Sequence, residues 1–269
     1  LEAAAKGVRK AAAENRAWIS PAGSCFVPPA AAVPHPERVA FMYGDGAAPY
    51  PGLGRDIWRA VPTMHETVDD LTREMWKVPD DAWNPRCVTL GEYKAASSAF
   101  LLNQVEMFRS GVFFSVLFTH LARNVMGVQP TAAFGLSLGE ISMLFAFDEN
   151  NSRRSETLTE RLSTSPVWTQ ELAGPMNALR RAWGFPATAP TKDFWSGFLV
   201  RGSRAEVERA IATAGVARVR PLIVNDDKMV LIAGVPAECA KVVEVLGNGP
   251  ALPVPQGMCG HCPESLPQV

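Results

Sequence analysis

An α/β fold is predicted by three observations. A short apolar strand runs into a glycine-rich turn near residue 40, a second strand enters a helix through Gly-x-Ser-x-Gly near residue 137, and a β-α-β-β-α-β rhythm occupies 193–256. The chain has 269 residues and is 47% hydrophobic, enough to bury a full core in one large domain or a large one with an insertion. A net charge of -1, with no Lys/Arg cluster or stripe, leaves no electrostatic footprint for nucleic acid. No apolar run reaches the length of a membrane span, because the longest candidate, Gly111 to Leu121, is interrupted by Ser115, Thr119 and His120. Residues 1–20 are Ala-rich and charged, unlike a signal peptide, and five cysteines without a regular framework suit a reducing cytosol, so a cytoplasmic location is expected.

The opening LEAAAKGVRKAAAENRAW is rich in helix formers, and its EAAAK unit has the composition of a semi-rigid spacer. SPAGSCFVPPAAAVPHPER follows, dense in Pro, Ala and Gly, and is expected to be extended and poorly ordered, so residues 1–37 read as a linker. VAFMYGDG (39–46) then reads as strand and turn, and GLGRDIWRAVPTMHETVDDL has helical spacing of apolar residues. From Ala96 to Met126 a single long helical pattern is apolar on most faces and is expected to be buried. VQPTAAFGLSLGEISMLFAF supplies a proline break, a short strand, the turn Gly135-Leu136-Ser137-Leu138-Gly139 and another helix. A serine in that context sits on a tight, strained turn, where flanking glycines let strand and helix cross. The helix N-terminus beneath it offers free backbone N–H groups and a positive dipole end.

In the C-terminal rhythm, FWSGFLVRG reads as a strand and SRAEVERAIATAG as a helix capped by Ser203 and closed by Gly215. VRPLIVND and KMVLIAG form a hairpin around Asp226-Asp227, VPAECAKVVEVLG a second helix, and PALPVP a last strand. This is a small ferredoxin-like unit. The predicted organisation is therefore a linker (1–37), a large α/β subdomain (38–192), the ferredoxin-like subdomain (193–256), and a return to the large subdomain at 257–269.

Serine needs a base to act as a nucleophile, and the chain has four histidines: His35, His65, His120 and His261. His35 lies in the Pro-rich stretch, while His65 and His120 sit within helical patterns where a histidine is more often structural. His261 follows the last strand in a Gly-flanked loop and is the best placed base. It also lies inside MCGHCP, whose Cys259-Gly-His-Cys262 matches the filling of disulfide isomerase sites. A thioredoxin-like fold needs dozens of residues after such a pair, and only seven follow Cys262. A structural metal would need two more ligands, whereas Cys25, Cys87 and Cys239 are isolated. The pair is expected to pack around the base, and the seven tryptophans to be core residues.

YGDGAAPYPGLGRD resembles the opening glycine turn of malonyl/acyl-CoA:acyl carrier protein transacylases, and FGLSLGE resembles their nucleophile elbow, with Leu136 in place of the usual histidine. Together with LIVND, LIAG and PVPQGMCGHCPE, these stretches are similar to an acyltransferase domain of microbial polyunsaturated fatty acid synthases, from about residue 38 to the end. The resemblance implies an α/β-hydrolase-like core with a ferredoxin-like insertion. It also implies a mechanism in which His261 takes the proton of Ser137 and the serine attacks an acyl thioester. The backbone N–H groups of Leu138 and Asp45 would hold the oxyanion, and Gln104 would line the pocket. The acyl group would arrive on the phosphopantetheine of acyl carrier protein or on CoA, so that no cofactor of its own is expected; other synthase domains would be the remaining partners. The family continues some tens of residues past its histidine, so the C-terminal part of the domain is expected to be missing.

Malonyl-specific members carry an arginine twenty-five residues after the serine, a position held here by Leu162. Arg161 is one residue earlier, about 100° around a helix. Either Arg161 is re-aimed into the pocket, or the pocket is apolar and takes a fatty acyl chain. The expected activity is transfer or hydrolytic off-loading of long-chain acyl groups, an acyl carrier protein thioesterase in the second case. Malonyl loading and a non-catalytic structural domain are the alternatives.

Overall fold

In the computed structural model, residues 2–20, 25–28, 38–64, 66, 86–147 and 155–268 are described. The expected first helix is α1 (Glu2–Ala13). Strands β1 (Trp18–Ile19) and β2 (Cys25–Phe26) pair antiparallel, in a stretch the sequence predicts to be unpaired. The reason is local: Gly7 leaves room on α1 for the Trp18 ring, which a Cβ there would meet at 2.5 Å. The rest of the Pro-rich stretch, with His35, lies outside the described residues.

The large unit is built on β3 (Ala40–Tyr43). The glycine turn that follows leads only to a short α2 (Ile57–Ala60), because Pro51, Gly52 and Gly54 hold 51–56 in turns. Most of the remaining predicted helix, with His65, falls outside the described residues. The pattern from Ala96 to Met126 is two helices rather than one: α3 (Leu90–Leu102) and α4 (Gln104–His120). Asn103 breaks them with a non-helical backbone at φ -91°, ψ 85°, and its side chain accepts from the N–H of Glu106 as an N-cap. Apolar periodicity runs through this break, so hydrophobic spacing alone reads it as continuous. A π-helical turn at Leu121–Val125 ends the second helix.

Strand β4 (Ala132–Gly135) pairs parallel with β3, from Ala40 opposite Ala132 to Tyr43 opposite Gly135. The chain turns at once into α5 (Leu138–Phe147), which packs along α4 through Val116 and Ala146, with Tyr43 in the same cluster. Then come α6 (Ser155–Thr164), a π-helical turn at Val167–Leu172, α7 (Asn177–Ala182) and α8 (Thr191–Phe194).

The C-terminal unit is β5 (Ser196–Arg201), α9 (Arg204–Ala214), β6 (Val219–Asp226), β7 (Met229–Gly234), α10 (Pro236–Leu246) and β8 (Leu252–Val254). Its strands form one antiparallel sheet in the order β6-β7-β5-β8. Ser203 and Glu206 make a reciprocal capping box on α9, and Gly215 closes that helix at φ 63°, a conformation glycine adopts without steric cost. Alternation along the strands divides the sheet. Val200, Val230 and Ile232 face α9 and α10, packing on Val207, Ala210 and Val242, each buried valine or isoleucine contributing about 1.5–3 kcal/mol. Leu199, Leu231 and Ile223 stand in register across three strands on the opposite face. That face looks toward α3 and α4 and forms one wall of a cleft.

Candidate active site

Ser137 is the second of the two residues between β4 and α5, at φ 53°. A non-glycine residue in the left-handed region is strained, and that strain holds the side chain out from the turn. The two glycines of the motif are demanded by close approach. A Cβ on Gly135 would lie 2.1 Å from the carbonyl carbon of Gly139, and one on Gly139 would lie 2.3 Å from the carbonyl oxygen of Tyr43. The N–H of Leu136 donates to that same Tyr43 oxygen at 3.1 Å, stitching the elbow to the end of β3. Leu138 is buried against Phe108 and Val112 and anchors the start of α5.

His261 is brought to the serine from 124 positions later, with its Nε2 2.9 Å from Ser137 Oγ. Its loop is tied to the large unit by the bridge of Met258 with Ala173 and by the N–H of Cys259 donating to Leu172 at 2.8 Å. The hydroxyl of Ser265 donates to the carbonyl oxygens of Gly260 and Cys262. Cys259 and Cys262 are buried, in one cluster with Met176, Leu179, Phe194 and Trp195. Burial pushes the Cys259 thiol up to about 12; burial, then the hydrogen bond to Glu264, pushes that of Cys262 up as well. A redox pair needs an acidified thiol, so the shift runs against that reading of MCGHCP. Among the described residues, no group of three His, Cys, Asp or Glu side chains is placed to hold a metal ion.

Around the serine and histidine lies a cleft of about 210 Å³ between the large unit and the free face of the four-stranded sheet. Asp45, Gln104, Ser137 and His261 all line it. The Asp45 carboxylate accepts the N–H of Ala47 at 2.9 Å, which keeps it within its own turn. Among the described residues, no acceptor takes the N–H of Asp45 or that of Leu138, leaving two donors free where β3 ends and α5 begins. Gln104 is buried at the first position of α4, placed there by the break at Asn103, and its amide donates to Leu101. Arg161 is exposed on the last turn of α6 and is not among the cleft residues. His120 sits at the end of α4 against Asn124 and is not among the cleft residues.

Asn225, Gln256 and Met258 also line the cleft; they fall within LIVND and PVPQGMCGHCPE, where the resemblance assigns them no role. Strand alternation in VRPLIVND and KMVLIAG carries a signal for the sheet wall, since it separates Leu231 from its neighbours Val230 and Ile232. The polar residues of the connecting loop have no such period.

No family model matches the chain. It is 45% identical over 268 residues to a polyunsaturated fatty acid synthase polypeptide from Thraustochytrium sp., an alignment covering 99% of this chain. The chain spans only 13% of the length of that relative. Among solved structures, the malonyl CoA-acyl carrier protein transacylase of Coxiella burnetii is similar over 88% of this chain and 67% of its own, with a TM-score of 0.58 at 17% identity. A type II polyketide synthase malonyl-transacylase, solved in complex with its acyl-carrier protein, is similar over 86% of this chain and 67% of its own, with a TM-score of 0.55 at 17% identity. At these identities the structural likenesses establish the fold. No helix among the described residues is long and apolar enough to cross a membrane.

Proposed function

We propose that this chain is the acyltransferase domain of a polyunsaturated fatty acid synthase, an α/β-hydrolase-like core carrying a ferredoxin-like insertion, and that it works through an acyl-Ser137 intermediate. The observation that carries this reading is the 2.9 Å contact between Ser137 Oγ and His261 Nε2 at a strained strand-to-helix turn. The sequence identity to the Thraustochytrium synthase supports the setting.

In this mechanism His261 Nε2 accepts the hydroxyl proton as Ser137 Oγ attacks the thioester carbonyl. The tetrahedral oxyanion is held by the N–H groups of Leu138 and Asp45, aided by the N-terminal end of α5. Collapse breaks the C–S bond, and the departing thiolate of phosphopantetheine or CoA takes the proton from His261. A carrier thiol or water then gives its proton to His261 and attacks the acyl carbonyl; the ester C–O bond breaks and Ser137 Oγ takes the proton back from His261, giving transfer in one case and a free acid in the other. Acyl carrier protein and other domains of the synthase are the partners this chemistry requires. Residues 1–37 serve as a connector, 38–192 and 257–269 as the body, and 193–256 as the insertion.

The cleft favours a neutral, long acyl chain. Leu101, Met107, Phe108, Leu199 and Leu231 are among its walls, and no lysine or arginine is among its described lining residues. A malonate carboxylate buried there unpaired would cost on the order of 3 kcal/mol. Malonyl loading is the second reading, favoured by the likeness of the fold to malonyl transacylases. The two separate on incubation with malonyl and with long-chain polyunsaturated acyl carrier protein, followed by intact mass spectrometry. A long acyl adduct on Ser137, or its free acid, is expected; a malonyl adduct alone would overturn the apolar reading. An Arg161→Ala change is expected to leave the long-chain adduct unaffected.

A further inference from the structure

The His261 ring is exposed, and among the described residues its hydrogen bond is to Ser137. The position of the base therefore depends on the loop that carries it. Three residues on, at the start of a 3-10 turn (Pro263–Gln268), Glu264 binds three separate parts of the molecule. Its Oε1 accepts from the indole N–H of Trp183 at 3.0 Å, just past α7, and from the guanidinium of Arg220 on β6. Its Oε2 accepts from the thiol of Cys262 at 2.7 Å, next to the base. Arg220 is itself held by the carbonyls of Ala217 and Val219, and Leu222, Ile223 and Asn225 on the same strand line the cleft. The Glu264 side chain is only 14% exposed and that of Arg220 28%. Burial opposes the charge of Glu264, but the hydrogen bonds from Cys262, Trp183 and Arg220 outweigh it and hold the carboxyl below its usual range.

We propose that Glu264 is a positioning residue for His261: by joining Arg220 on β6, Trp183 and Cys262, it sets the reach of the base to Ser137. It couples that reach to the strand that walls the cleft. Neither its neighbour Pro263 nor the motif Cys-Gly-His-Cys could do this, because only a carboxylate presents two oxygens to cationic and neutral donors from different directions. The proposal rests on the Ser–His reading above.

The test is the rate at which a fluorophosphonate labels Ser137 in the folded 269-residue chain, in a double-mutant cycle of Glu264→Ala with His261→Ala. Glu264→Ala is expected to slow labelling by about 10- to 100-fold in the parent and by less than about twofold when His261 is already replaced. Glu264→Gln, which keeps an acceptor oxygen, is expected to recover part of the rate, and it replaces the alanine variant in the cycle should that variant fail to fold. Equal slowing in both backgrounds would reveal general loosening and overturn the proposal. So would no slowing in a parent that labels normally. A parent that labels no faster than its His261→Ala variant would instead sink the Ser–His reading, and the positioning role with it.

Discussion

Ser137 and His261, the proposed nucleophile and base, are held in opposite ways. Ser137 is placed by main chain: a left-handed φ of 53°, a glycine on each side with backbone at 2.1–2.3 Å from the Cβ it lacks, and an N–H bond from Leu136 to the end of β3. The loop that carries His261 is held mainly by side chains: Glu264 bonds Trp183 and Cys262, Ser265 donates to the Cys262 carbonyl, and two thiols are buried. A turn fixed by sterics has little freedom to be retuned, whereas a base held by polar side chains drawn from two units can shift when either unit does.

Removing the nucleophile breaks the comparison most severely. Ser137→Ala is expected to abolish the acyl adduct in intact mass spectra and to lower turnover on the order of 10⁴-fold or more, with the fold retained. An adduct surviving that change would move the chemistry elsewhere. Next comes the steric frame of the elbow. Gly135→Ala would drive a methyl into the backbone of Gly139 and Glu140, so about 3 kcal/mol of destabilisation is expected, together with loss of labelling. A denaturant titration measures the first, and an unchanged midpoint would show that the turn is not sterically set.

The same substitution in the base loop sharpens the contrast. At Gly260 a Cβ would meet the terminal methyl of Met258, a flexible group that can move aside, so Gly260→Ala is expected to cost less than about 1 kcal/mol in the same titration. The smallest effect concerns the thiols. Burial raises Cys259 to about 12 and raises Cys262 too, so each is neutral at pH 8, where an ordinary thiol near 8.5 is partly ionised. Iodoacetamide at pH 8 should leave both unmodified in the folded protein and modify them only after unfolding. Rapid labelling of either in the native state would restore the redox reading.

Much of the fold was legible because its signals are local. The Ser203 cap, the helix-closing Gly215 and the hairpin near Asp226 each depend on a few adjacent residues, and each stands where the pattern placed it. The break at Asn103 was not legible, since the apolar spacing of LLNQVEMF continues through it, and a single asparagine cap is a weak mark within a buried helical run. Yet that break turns Gln104 into the cleft. The pairing of Trp18–Ile19 with Cys25–Phe26 was likewise hidden, because proline and glycine content masks two-residue strands.

By itself the sequence determined the strand-to-helix turn around Ser137 and the order of elements from 196 to 254. Turn sterics, capping and strand alternation are short-range and survive without a partner. Only the tertiary structure decided that Glu264, Arg220 and Trp183 meet beside the loop of His261, that Cys259 and Cys262 are buried, and that Arg161 is not among the cleft residues. Those outcomes turn on which surfaces lose water when distant segments pack, and no spacing along the chain encodes that.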